Sequence, residues 1–501
     1  MRRRPAPPYA DSVGRFEDLQ KHLLAAWRAN AMGSTDEHVV VLLPSFSLGP
    51  TILEHYRDRL GSLEHRYLLA GLMLGTIPGA ELLLVTCVDP GDDVLDYYAA
   101  LAGPHDPASV RRRLHVVVVP DISARGISAK LLDRPDLLRQ IRGQVAGRPA
   151  LLEAWNVTDD EVAVAISLGV PVYGTAPNLW PLGFKSSGRR LLQAAGVPVP
   201  CGCEEVHGPS DVAAAIASIR RLRPRLDDVV VKQDNSGAGD GNLIVHTRRD
   251  GIRIPTRRLG IECLSEAPEW FARDLLEGGV VEELVHGSRL TSPSAQIDIG
   301  PDRSVRVLST HEQVLGGENG QVFTGCRFPA NPAYAAVLAG HARAVGHLLA
   351  DRGVLGRVAV DFVAVRRRGA WEVFALEINL RRGGTTHPYT ALRHLVPGLY
   401  DEVGGRWIAR DGSTRCYRAD DNVMPQGALG LRASVAVAAV EEAGLAFDRA
   451  VGTGVVLHML SGLAVDGRLG VVAIGRTPSE SDELHAAACR ALALVSEPAA
   501  R

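Results

Sequence analysis

The sequence predicts a multidomain chain that mixes α/β and α+β layers. An open parallel sheet is expected at the amino end, two α+β lobes in the middle, and a small α/β domain at the carboxyl end. Three observations carry this reading. Apolar β-branched runs at Val39 to Leu43, Leu82 to Val88 and Leu114 to Val119 alternate with stretches of helical character, as in strands joined by crossover helices. Two β-rich runs, Val229 to Lys232 and Leu243 to Val245, flank a glycine-rich loop. Val358 to Val363 and Val373 to Leu376 lie on either side of a turn-like Arg366 to Gly369, which makes a hairpin. The 501 residues supply chain for several domains, placed here at 1–180, 181–285, 286–400 and 401–501.

In chain order, Met1 to Arg4 followed by Pro5, Pro7 and Pro8 is a basic start with no apolar stretch behind it, hence a loose tail rather than a secretory signal. The alternating runs that follow form the first domain. Beyond 400, Gly404, Gly405 and the polar stretch Arg410 to Asn422 read as a connection. Val451 to Leu460 and Val471 to Gly475 read as strands, and Asp482 to Leu494 as a helix. The 55 Lys and Arg against 57 Asp and Glu leave no general pull toward nucleic acid or membrane. No run approaches the roughly 20 apolar residues needed to span a bilayer, so a cytoplasmic protein is expected. Seven cysteines form neither a disulfide framework nor a metal pattern, and Cys201 and Cys203 stand too close for a zinc knuckle.

The chemistry-bearing residues gather in the middle. Glu377, Asn379 and Arg381 alternate at the exit of an apolar run, and alternate strand positions share a face. Oxygen ligands from Glu377 and Asn379 suit a hard divalent cation, and an arginine grips phosphate oxygens. Asp361 stands alone in an apolar strand, where a carboxylate is costly unless paired or metal-bound. Across the hairpin it would face Glu377, and the two acids would repel unless a cation such as Mg²⁺ lay between them.

Upstream, Lys232 leads through Gln233, Asp234, Asn235 and Ser236 into Gly237, Ala238, Gly239, Asp240 and Gly241. Glycines let backbone amides approach an anion, and the lysine is a point charge for phosphate. The segment is not a Walker loop, which needs Gly-Lys-Ser/Thr before a helix. A dinucleotide fingerprint also opens into a helix, whereas a strand follows here. The alternative is an ordinary flexible hairpin turn. Val280 to Gly287 is an apolar strand leaving through Glu282 and Glu283, either a hinge whose backbone reads adenine or a solvated strand exit.

Taken in this order, the segments resemble the ATP-grasp superfamily of carboxylate-amine ligases over roughly residues 180–395. The likeness includes Lys185 at the start of a helix that runs to Ala195, Gly196, Val197 and Pro198. Three further strings, Ser292 to Gln296, Thr310 to Gly317 and Gly383 to Pro388, are similar to the peptide ligases of pheganomycin biosynthesis and their relatives. The resemblance implies a Rossmann-like pre-grasp domain, a two-lobed ATP-grasp fold and an added C-terminal domain. It implies that Lys185 and Lys232 contact ATP phosphates. Ser236, Gly237, Ala238, Gly239 and Gly241 would cover them, and Glu282, Glu283, Leu284 and Val285 would form the adenine hinge. Asp361, Glu377 and Asn379 would hold Mg²⁺. Arg381, with Lys232 and Glu377, would serve the phosphoryl transfer. The ribose contact is unassigned, because the residues after the hinge are Gly287, Ser288 and Arg289.

The implied reaction forms an acyl phosphate from a carboxylate and ATP, then an amide with the amino end of a peptide, releasing ADP and phosphate. The partners are a small-molecule acid donor, expected to carry a guanidino group, and a peptide acceptor. A homo-oligomer is compatible with the sequence. His387 and His311 are candidate bases or structural residues. Three other functions share parts of the pattern: a biotin-type carboxylase, a non-catalytic nucleotide-binding protein, and a dinucleotide-dependent oxidoreductase.

Overall fold

The computed structural model describes residues 9–47, 49–236, 241–249, 252–253, 255, 258–259, 264–265, 267–316 and 322–496. Four parallel strands, β1 (His38–Leu43), β2 (Ala80–Thr86), β3 (Leu114–Val118) and β4 (Ala150–Ala154), form the first sheet in the order β3-β2-β1-β4. Successive residues of β1 and β2 serve opposite faces. Val40, Leu42, Leu82 and Leu84 meet Leu72 and Tyr98, while Val39, Val41 and Leu83 meet Ile141, Val162 and Ala165. Burial on both faces explains why these strands read as unbroken apolar runs. The strand β4 is Ala-Leu-Leu-Glu-Ala, without a β-branched residue, and carries no comparable signal in the sequence.

The second sheet runs β5-β10-β6-β7, from β5 (Gly202–Cys203), β6 (Asp228–Gln233), β7 (Asn242–His246) and β10 (Gly279–Glu283). A short pair, β8 (Arg248–Arg249) and β9 (Ile252–Arg253), lies apart. The helix Pro209–Leu222 buries Val212, Ile216 and Ile219 with Val229, Val231 and Val281, which gives this lobe its own core.

Among the described residues the third sheet has 11 strands. They are β11 (Arg289–Thr291), β12 (Pro293–Ile299), β13 (Val305–Gly316), β14 (Val322–Phe328), β15 (Gly356–Arg367), β16 (Ala370–Asn379), β17 (Gly398–Asp401), β18 (Arg406–Ala409), β19 (Thr414–Val423), β20 (Gly454–His458) and β21 (Leu469–Gly475). The helix Ala335–Asp351 packs Leu338, Ala342 and Leu349 against Ile297 and Val360. The sheet continues beyond residue 400, since β19 pairs with β14 and with β21, and β21 with β20.

The polar stretch expected as a connection at 410–422 is therefore corrected, because most of it is the strand β19. Its charges are held inside the protein. Arg415 donates to the carbonyls of Gly452 and Val451, both at 2.8 Å, and Asp421 accepts from His387 at 2.8 Å. Partnered charges inside a sheet have the composition of a loop.

One core unites the two ends of the chain. Leu69, Leu72 and Tyr98 pack with Leu392 of the helix Thr386–Leu395 and with Leu457 and Val472 of the carboxyl-terminal strands. Loops that bear on the site are fixed by polar contacts. Thr158 and Glu161 form a capping box at the helix Asp159–Leu168, and the Glu161 carboxylate also accepts from Ser47 Oγ at 2.7 Å. Thr158→Ala is expected to lower stability by about 1 kcal/mol, read in chemical denaturation.

Candidate active site

The site is built on the β15–β16 hairpin, whose register sets Asp361 directly opposite Glu377 and Ala359 opposite Asn379. A bulge between Asp361 and Phe362 shifts the register just beside the acids. Both oxygens of Asp361 are engaged, accepting from Gln313 Nε2 at 2.7 Å and from Asn379 Nδ2 at 2.8 Å. Glu377 pairs with Lys185 Nζ at 2.8 Å, and Lys185 also donates to the carbonyl of Ser236 at 3.2 Å. Lys185 stands first in the helix Lys185–Ala194. Its own amide donates to the carbonyl of Asp234 at 3.1 Å, and the amide of Ser186 donates to the Asp234 carboxylate at 2.8 Å. The turn after β6 is thus fastened to a helix N-terminus, a favourable place for a carboxylate.

Lys232 is buried and ion-paired with Glu282, which also receives Arg189 Nη1 at 3.1 Å. Glu283 accepts from the Cys201 amide at 3.0 Å and lies 3.3 Å from Arg223 Nε. These acids are internal partners, so the solvated-exit reading of 282–283 is set aside. The amides of Glu283 and Leu284 donate to the carbonyls of Cys201 at 2.8 Å and Asp228 at 3.1 Å, and Val285 packs on Val363 and Val365. Of the loop, Ser236 and Gly241 are described, while Gly237, Ala238 and Gly239 lie outside the described residues. A Cβ on Gly241 would stand 2.2 Å from that of Ser236, so the return of the chain there requires glycine.

Arg381 departs from expectation. The strand β16 ends at Asn379, and simple alternation does not carry over to Arg381. Its guanidinium instead lies over the Trp155 ring, 4.8 Å from the centroid, a cation–π contact that aims it across the site. Arg382 turns elsewhere and pairs with Glu153 of β4 at 2.5 Å. His311 Nε2 meets the Tyr417 hydroxyl at 2.5 Å, and burial pushes the imidazole down to about 3. A neutral histidine inside the sheet is structural.

His387, Asp421 and His458 bring ligand atoms within 4.8 Å of one another. Arg66 Nη2, 3.1 Å from Asp421 Oδ2, already gives that carboxylate a fixed cation.

Electrostatics single out the hairpin. Burial, then the neighbouring Glu377 charge, pushes Asp361 up to about 7. Burial also acts to raise Glu377, but Lys185 and then Arg381 outweigh it and hold that carboxyl below its usual range. Two oxygen acids held face to face, one of them short of positive charge, fit a hard divalent cation. Asn379 would add a carbonyl oxygen, and Asp361, Glu377, Asn379 and Arg381 all line a cavity of about 640 Å³. Further lining comes from both ends of the chain, with Tyr56, Arg66 and Trp155 before the lobes and Asn422 and Arg468 after them. Gln313 and Trp155 were not singled out as site residues from the sequence. Gln313 lies within one of the quoted strings, whereas Trp155 carries no local signal.

Two α+β lobes meet over a carboxylate-bearing hairpin whose Glu377 is flanked by Lys185 and Arg381, the architecture of a two-lobed clamp. The comparisons agree. The IQCH-like ATP-grasp family matches residues 265–386, and the PGM1 C-terminal domain family matches residues 435–488. A curated relative, L-propargylglycine–L-glutamate ligase of Streptantibioticus cattleyicolor, is 31% identical over 431 residues, covering 82% of this chain and 85% of its own. Biotin carboxylase from Campylobacter jejuni, in a beta-gamma-ATP complex, superposes with a TM-score of 0.55 at 12% identity, over 94% of this chain and 96% of its own. The ADP complex of N5-carboxyaminoimidazole ribonucleotide synthetase gives a TM-score of 0.51 at 10% identity, over 92% and 98%. These two likenesses speak for the fold. The chain belongs to the ATP-grasp superfamily of carboxylate-amine ligases.

The raised Asp361 carries a sign that can be measured. A carboxyl whose folded value lies above its unfolded one contributes stability below the unfolded value, near 4, and loses it as pH rises through about 7. With a chelator present, the native protein should lose stability relative to Asp361→Asn between pH 5 and pH 8. A constant difference in melting temperature between the two would contradict the assignment.

Proposed function

We propose that this enzyme joins a carboxylic acid to the amino group of an amino acid or peptide through an acyl phosphate, with ATP and Mg²⁺, in the making of a peptide natural product. The observation that carries the reading is the single cavity in which Asp361, Glu377, Asn379 and Arg381 share the lining with residues supplied by both ends of the chain. That arrangement leaves room for two substrates beside the phosphoryl-transfer residues. The name of the Streptantibioticus cattleyicolor relative, a ligase of two amino acids, supports an amino-acid or peptide acceptor.

In this reading Lys185, Lys232 and the 236–241 segment bind the phosphates, and the 282–285 segment takes the adenine. Asp361, Glu377 and Asn379 would hold Mg²⁺, which when bound neutralises phosphate charge. The substrate carboxylate oxygen attacks the γ-phosphorus, the bond to the bridging oxygen breaks, and ADP leaves. Arg381 stabilises negative charge on the transferring group. The amine nitrogen then attacks the acyl carbon, phosphate departs with the acyl oxygen, and the amine proton passes to solvent or a base.

A guanidino donor would need a carboxylate partner. Away from Asp361 and Glu377, the charged residues lining the cavity among the described residues are Arg59, Arg66, Arg381 and Arg468, with His55 beside them. The acid donor is therefore proposed without that requirement.

Incubation with ATP, Mg²⁺ and paired acids and amines should release ADP and phosphate, with a product equal to the two substrates minus water by mass spectrometry. AMP and pyrophosphate would overturn the acyl-phosphate route. Glu377→Gln should lower turnover at least ~100-fold when assayed at a temperature where circular dichroism shows the variant folded. Lys232→Ala should weaken nucleotide binding about 10-fold, and unchanged affinity would remove it from the phosphate site.

A further inference from the structure

Part of the cavity lining away from the hairpin in sequence carries a positive charge that phosphoryl transfer does not use. Arg59 ends the short helix Arg57–Arg59, Arg66 lies in the helix His65–Gly75, and Arg468 stands just ahead of β21. All three line the cavity that holds Asp361 and Arg381. Their side chains are largely buried, between 19% and 28% exposed. They are also electrostatic neighbours, since burial and then the Arg468 charge lower Arg59, with Arg66 acting in the same sense.

Two acids stand behind them. Asp466 lies 3.2 Å from Arg59 Nε and 3.1 Å from Arg468 Nε, and Asp421 lies 3.1 Å from Arg66 Nη2. Arg468 Nη1 also donates to Asn422 Oδ1 at 3.0 Å. Three guanidiniums against two carboxylates leave one positive charge at the wall. Among the described residues, the Nε of Arg66 is buried without a hydrogen-bond partner. Guanidiniums brought together against their own repulsion, with an unsatisfied donor, form a receptor for a planar anion. A single surplus charge matches a carboxylate rather than a phosphate dianion.

We propose that Arg59, Arg66 and Arg468 form a subsite for a carboxylate that the reaction does not consume, carried by an amino-acid substrate whose reacting group lies at the hairpin end. The proposal rests on the ligase reading above. The subsite sets specificity, and its residues take no part in bond making.

The test needs no variant at first. Product formation and ADP release are measured with a free amino acid as amine and with its carboxamide, and separately with a diacid and a monoacid as donor. The expected result is a KM at least tenfold higher for the substrate lacking the second carboxylate, with kcat within about threefold. A penalty on the carboxamide assigns the carboxylate to the amine substrate, and a penalty on the monoacid assigns it to the donor. Arg468→Gln, and independently Arg66→Gln, should erase that discrimination. Equal KM values in both pairs, or variants that keep the discrimination, overturn the subsite while ligation itself stands. Absence of ADP release with every pair would instead strike at the ligase reading. Calorimetric binding of L-glutamate against its diamide then decides the subsite alone, with equal affinities overturning it.

Discussion

Two carboxylates fixed face to face across a hairpin are the constraint around which this molecule is arranged. Asp361 and Glu377 cannot both carry charge in a buried setting without an offsetting cation, and the protein supplies one permanently in Lys185. That lysine comes from a helix between the first domain and the small lobe, so the compensation is also the contact that brings the small lobe over the large one. The second acid is left with amide donors from Gln313 and Asn379, which stabilise it without neutralising it. Positive charge is therefore abundant around one carboxylate and deficient at the other, the asymmetry that a phosphate-bound cation would resolve.

The architecture gives this hairpin a setting that an isolated two-lobed clamp would lack. The first domain contributes Trp155, which steers Arg381 through its ring face, and Glu153, which draws Arg382 away. The adjacent arginines consequently have separate tasks, one in the cavity and one tying the hairpin's exit to β4. The carboxyl-terminal strands join the sheet of the large lobe and bring Asn422 and Arg468 to the cavity lining.

Much of this was legible in the sequence, for identifiable reasons. The parallel strands of the first sheet are buried on both faces and leave continuous apolar runs, and the hairpin declares itself by Asp361 alone in one apolar strand and Glu377 at the exit of an apolar run in the next. The opposition of Asp361 and Glu377 follows from the turn between them. Less legible was whatever depends on distant packing. The β4 strand lacks β-branched residues, β19 hides its charges in buried pairs, and Arg381 takes its direction from a tryptophan more than 200 residues away. Arg59, Arg66 and Arg468 come from opposite ends of the chain, and no local pattern could group them.

The shared core of the two ends has a consequence for the chain while it is being made. The Tyr98 hydroxyl donates to the carbonyl of Leu457, a residue 359 positions later, and the apolar face around Tyr98 is covered by strands from the same late region. At translation rates of about 5–20 residues per second, that face emerges on the order of tens of seconds before its covering exists. The first sheet can form as soon as β4 appears, with Leu72 and Tyr98 already covering one face, but the outer side of that covering layer stays bare. The nascent protein thus passes through an interval in which an ordered layer displays apolar surface that its own carboxyl end has yet to cover.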